Sequence, residues 1–107
     1  ALPIDNRAVN ALGNSPLALD VYFWLTYRMT RGTKPIKIKW ESLHGQFGGD
    51  TKLLKHFKLE FKKAIESVKE LFPNLPLELT DEGASLIPGR PEVLALPSTF
   101  KRKPRSS

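Results

Sequence analysis

The sequence predicts a small α+β fold from three observations. An apolar stretch at helical spacing follows Ser15-Pro16, residues 36–40 alternate strictly between apolar and polar, and two helical segments parted by Gly48-Gly49 precede a hairpin pattern. A short helix, a glycine turn and a second helix with a basic outer face form a helix-turn-helix. A strand before that pair and a hairpin after it make a winged helix.

Taken in order, Asp5 is placed to cap a short helix through Leu12, with Gly13 and Asn14 suited to a left-handed stop. Ser15 then caps a second helix over residues 16–30, with Pro16 at its first position and Asp20 near its start. Leu17, Val21, Trp24, Leu25, Arg28 and Met29 recur at helical spacing, so this helix is expected to supply much of the core. Trp24, Trp40, Tyr22, Tyr27 and Met29 are expected in the core or at its edge. Arg31-Gly32-Thr33 closes the helix.

Alternation over residues 36–40 puts Ile36, Ile38 and Trp40 on one face of a strand and Lys37 and Lys39 on the other. A short helix over residues 41–47 follows, with Leu43 and Phe47 facing inward, and Asp50 or Thr51 is expected to cap the next helix. In that long helix Leu54, Phe57, Phe61, Ala64, Ile65, Val68 and Phe72 share one stripe. Lys52, Lys55, Leu59, Lys62, Lys63, Glu66 and Glu70 fall opposite. Pro73 ends the helix, and residues 77–80 and 84–87 read as a hairpin turning through Asp81-Glu82-Gly83. The domain is drawn over residues 1–88. Residues 89–107, with their prolines and the basic run Lys101-Arg102-Lys103-Pro104-Arg105, read as an extended or disordered tail. Its Val93, Leu94, Leu96 and Phe100 suit either another protein or a return across the domain.

The charge order of the long helix points to function. A helix N-terminus carries partial positive charge and unpaired N–H groups, so acids belong there. Here the lysines crowd the first half and Glu66 and Glu70 lie toward the end. That reversal suits a partner outside the helix. With 17 Lys and Arg against 11 Asp and Glu, a net charge of +6, the chain as a whole favours an anionic one. Helix-turn-helix recognition sets the second helix in the major groove, which assigns Lys52, Lys55, Lys62 and Lys63 to phosphates, Thr51 and His56 to phosphate or base edges, and Leu59 to a thymine methyl. Arg7, Lys37 and Lys39, and Lys101, Arg102, Lys103 and Arg105 of the tail, are added as backbone contacts. Each has a plainer reading as solvated surface charge, and Leu59 as an ordinary exposed apolar residue. Asp81 and Glu82 would meet phosphate unfavourably, so the hairpin is expected to complete the sheet rather than enter a groove.

Other classes find less support. His44 and His56 are the sole histidines, no carboxylate pair has a spacing that demands acid-base work, and there is no phosphate loop or nucleophile motif, so no enzyme, cofactor or metal is expected. The absence of cysteine excludes disulfides and thiolate zinc sites. No window reaches the roughly 18 apolar residues of a membrane span, and the N-terminus lacks a signal-peptide pattern, so a soluble cytoplasmic protein without membrane contact is expected. A first residue of Ala rather than Met suits an excised domain or a processed product. RNA binding is less favoured because no aromatic platform is evident on exposed strands. The main competitor to DNA reading is a protein-interaction or dimerisation module with only non-specific nucleic-acid affinity.

The string SPLALDVYFWLTYR at residues 15–28, followed by Ile38-Lys39-Trp40 and Gln46-Phe47-Gly48, resembles the C-terminal region of plasmid-encoded RepA-type replication initiators, over about residues 3–88. The resemblance implies a bacterial protein that binds double-stranded DNA at repeated origin sites, the iterons, opens or marks the origin, and recruits host replication proteins. It also implies winged-helix domains and exchange between monomer and homodimer. The motif does not mark base-reading residues, so the site residues above rest on helix geometry.

Overall fold

A computed structural model describes residues 4–48, 53–89 and 91–96. The order is α1 (Asn6–Leu12), α2 (Pro16–Arg31), β1 (Ile36–Lys39), α3 (Trp40–Phe47), α4 (Leu54–Leu71), β2 (Leu77–Leu79), β3 (Gly83–Leu86) and a single 3-10 turn at Pro91–Leu94. Among the described residues the fold is α+β, four α-helices with a small three-stranded antiparallel sheet in a winged-helix-like arrangement.

Local chemistry sets the helix starts. The Asp5 side chain accepts from the Arg7 N–H at 2.8 Å, and the Ser15 hydroxyl accepts from the Ala18 N–H at 3.1 Å, each satisfying an N–H that α1 or α2 would otherwise leave unpaired. Gly13 ends α1 in a helical conformation, φ −62°, with its N–H bonded to Asn10, so the expected left-handed stop is not used.

The sheet order is β1-β3-β2, both pairings antiparallel. Register aligns Ile36, Leu86 and Leu77 in one row and Ile38, Ala84 and Leu79 in another, which places the apolar rows toward the core. Lys37, Ser85 and Glu78 form the outward row between them. The strand expected over 36–40 ends at Lys39: the Trp40 N–H still bonds to the Glu82 carbonyl in the register of the ladder, but Trp40 is already the first residue of α3. In the hairpin Thr80 and Gly83 bond backbone to backbone around Asp81-Glu82, and Gly83 belongs to β3 rather than to the turn.

Aromatic rings join the helices around the core. Trp24 of α2 meets Phe47 of α3 edge-on, Phe47 meets Phe61 of α4, and Phe61 meets Trp40 edge-on, with centroids 5.7, 5.7 and 5.9 Å apart. Tyr22 stacks on Phe72 at 5.7 Å and is fully buried, its hydroxyl accepting from the Asp5 N–H. Burial pushes the Tyr22 phenol above its ordinary range. Tyr27, expected in or beside the core, is 49% exposed.

Residues 91–96 do not extend away as composition suggested. Leu94 and Leu96 are buried, the 3-10 turn packs on α2, and the Leu96 carbonyl accepts from Arg7 Nη2 at 3.4 Å. Two buried leucines outweigh the extending tendency of the flanking prolines. Phe100 and the basic run beyond it lie outside the described residues.

Candidate nucleic-acid interface

α4 begins with little local help. Its N-cap is Leu53, which offers no side-chain acceptor, and its first turn holds no acid. The expected caps, Asp50 and Thr51, stand upstream of this start and, like Lys52, lie outside the described residues. The helix is held instead by packing, since Phe57, Phe61, Ala64, Ile65 and Val68 are all buried on one side.

That packing fixes what the other side presents. Lys55, His56, Leu59, Lys62 and Lys63 are exposed, and at about 100° per residue Lys55, Leu59, Lys62 and Lys63 fall on one stripe with His56 at its flank. Leu59 is 59% exposed among the lysines. From Lys55 to Lys63 the stripe runs about 12 Å along the axis at 1.5 Å per residue, the scale of a few base steps in a groove. Glu66 and Glu70 continue it with opposite sign. Among the described residues the lysines of this stripe make no ion pair, so their charge is directed to solvent.

The remaining candidates separate. Lys39 lines a shallow groove with Leu54 and Lys58 of α4 and with Asp81 and Glu82 of the hairpin tip, which brings it beside the start of α4. Lys37 and Lys39 are exposed on β1, an edge strand, where lysines also discourage pairing with another chain's edge. Arg7 is drawn into the fold, its Nε donating to Asp5 Oδ1 at 3.1 Å and its Nη2 to Asp5 Oδ2 at 2.7 Å. This fork holds the Asp5 carboxyl below the usual carboxylate range and commits part of the Arg7 guanidinium to Asp5. Thr51, Lys52, Lys101, Arg102, Lys103 and Arg105 lie outside the described residues.

Two features of the interface escaped sequence reasoning. Lys58 sits with its ammonium 5.5 Å over the Trp40 ring, and so tethers α4 to α3 rather than facing outward with its neighbours. Leu53, 52% exposed, adds a second apolar residue at the start of α4. The Leu53-Leu54 pair carried a signal for it, since only one of two adjacent residues there can turn inward. His44 stacks on Phe57 at 5.1 Å and is a packing residue.

Among the described residues no group of three or more His, Cys, Asp and Glu is placed to hold a metal ion, and no helix is long and apolar enough to cross a membrane. No family model, curated protein or solved structure matches the chain.

Proposed function

We propose that the chain is a double-stranded DNA-binding domain that reads sequence with α4, and that it serves a plasmid replication initiator at repeated origin sites. The observation that carries this is the exposed stripe of Lys55, Leu59, Lys62 and Lys63, held outward by a packed opposite face and without an ion pair among the described residues. Lysines on such a stripe reach phosphates on both sides of a major groove, Leu59 in its middle lies where base edges would be, and His56 at its flank is within reach of phosphate or a base edge. The α3–α4 pair supplies the helix-turn-helix, and Lys39 adds charge beside the start of α4. The setting at a plasmid origin, and the recruitment of host replication proteins, come from the resemblance of residues 15–28 to RepA-type initiators.

Selection from a random duplex pool at near-physiological salt tests this, because non-specific attraction is weak there. One enriched motif of about one helical turn is the expected result. Retention of duplex without any enriched motif would instead support an interaction module with non-specific nucleic-acid affinity.

A further inference from the structure

The last two turns of α2 hold a cluster that the DNA reading leaves unused. Trp24, Arg28 and Arg31 recur at helical spacing on one stripe, which runs about 10 Å along the axis at 1.5 Å per residue. The Arg28 guanidinium lies 5.8 Å over the Trp24 ring, and the Arg31 guanidinium 5.5 Å over the Tyr27 ring. Each cation is thus laid on a ring one turn earlier in the helix. Among the described residues neither makes an ion pair.

Two donors in this cluster are enclosed without an acceptor. Trp24 is 9% exposed and its indole Nε1 has no hydrogen-bond partner, and the same holds for Nε of the half-buried Arg28. Buried N–H groups are almost always bonded, because an unpaired one gives up its hydration with no return. Here two of them fall one turn apart on the same stripe and meet through the cation–π contact, which an acceptor from outside the chain accounts for. Basic residues in a last turn also answer the negative end of the helix dipole. That role asks for charge in water and leaves both enclosed N–H groups unexplained.

The geometry points to a phosphate-binding site on this stripe, with Trp24 Nε1 and the Arg28 Nε edge as its inner donors and Arg31 as its outer charge. Residues three apart on a helix have Cβ atoms about 5–6 Å from each other, so both guanidinium groups reach one ligand. A tetrahedral phosphate offers oxygens in several directions, enough for the indole, the Arg28 edge and Arg31 together, whereas a carboxylate offers two in one plane. Rotation of the unbranched Arg28 side chain lifts its guanidinium from the ring and admits the ligand to the enclosed edge. The site does not rest on DNA binding by α4.

Proton–nitrogen correlation spectra of the full chain read the site through its two indole signals, which Trp40→Phe assigns. Trp40 is the internal control, because its Nε1 already donates to the Thr80 carbonyl. Inorganic phosphate, titrated against sodium chloride of equal ionic strength, is expected to move the Trp24 indole proton downfield with saturation in the millimolar range and to leave Trp40 in place. Arg28→Gln and Arg28→Lys are each expected to weaken binding about tenfold, the lysine because it keeps charge without the fork, and Arg31→Gln about threefold. A second titration with a duplex of random sequence finds the source of the phosphate. Movement with duplex alone assigns the site to backbone phosphate, and movement with inorganic phosphate alone assigns it to a free phosphate or a phosphate monoester. No movement of the Trp24 signal in either titration, equal movement with chloride, or an unchanged midpoint in Arg28→Gln would overturn the proposal. Should α4 fail to bind DNA, the inorganic phosphate titration still decides it.

Discussion

The Trp40 indole Nε1 donates to the Thr80 carbonyl at 3.0 Å, while the Trp40 backbone N–H donates to the Glu82 carbonyl at 3.1 Å. One residue at the start of α3 thus holds both sides of the hairpin tip, and its ring also receives Lys58 from α4. Replacing Trp40 with Phe keeps a ring but leaves the Thr80 carbonyl without this donor. A loss of about 1–3 kcal/mol in urea unfolding is expected, against about 3–5 kcal/mol for Trp40→Ala.

Gly83 faces β1 so closely that a Cβ there would occupy the space of the Ile38 carbonyl, and its φ of +155° disfavours a side chain. Gly83→Ala is expected to cost at least about 1–3 kcal/mol and to speed hydrogen exchange in the β1–β3 ladder more than in α4.

Asp5 caps α1 and pairs with Arg7, and the guanidinium hydrogen bond is the main reason its carboxyl sits low, with partial burial opposing. Its folded pKa lies below the unfolded value of about 3.9, so its contribution is full above that pH and is lost as pH falls through the folded pKa. Asp5→Ala is expected to be about 1 kcal/mol less stable than the parent at neutral pH. The difference should shrink through the acid limb below about pH 4, as seen in paired thermal melts across pH.

Leu94 and Leu96 are buried although they follow a proline-rich junction. Ending the chain at Pro88 removes both, and a loss of about 3 kcal/mol or more is expected from their apolar area alone. Ending it after Leu96 should leave unfolding unchanged within about 0.5 kcal/mol, and the two truncations compared by urea titration separate a docked segment from a loose tail.

Much of this fold was legible because its signals are local. Ser15-Pro16 announced α2, alternation announced β1, and the apolar stripe from Phe57 to Val68 announced both the buried side of α4 and its basic reverse. What escaped depends on partners distant in sequence. Trp40 continues the β1 alternation and its N–H keeps the in-register bond to Glu82, yet it opens α3, with its indole bonded to the Thr80 carbonyl forty residues on. Leu94 and Leu96 are buried because the 91–94 turn packs back on α2, a contact that no pattern within 91–96 encodes. Residue type alone points to Asp50 or Thr51 as the cap of α4, whereas the helix begins at Leu54, where packing of Leu54 and Phe57 starts. Arg7 counted as a free cation in composition, but its partner Asp5 is two residues away and geometry alone decides that they meet.

The charged face of α4 is tested most directly by the salt dependence of duplex binding, measured on the selected motif and on a scrambled duplex. Lys55→Ala, Lys62→Ala and Lys63→Ala should each weaken binding to both duplexes and lower the slope of log K against log salt by about 1, whereas Leu59→Ala should reduce affinity for the motif alone. Unchanged affinity and unchanged slope across the three lysine variants would contradict DNA binding by α4.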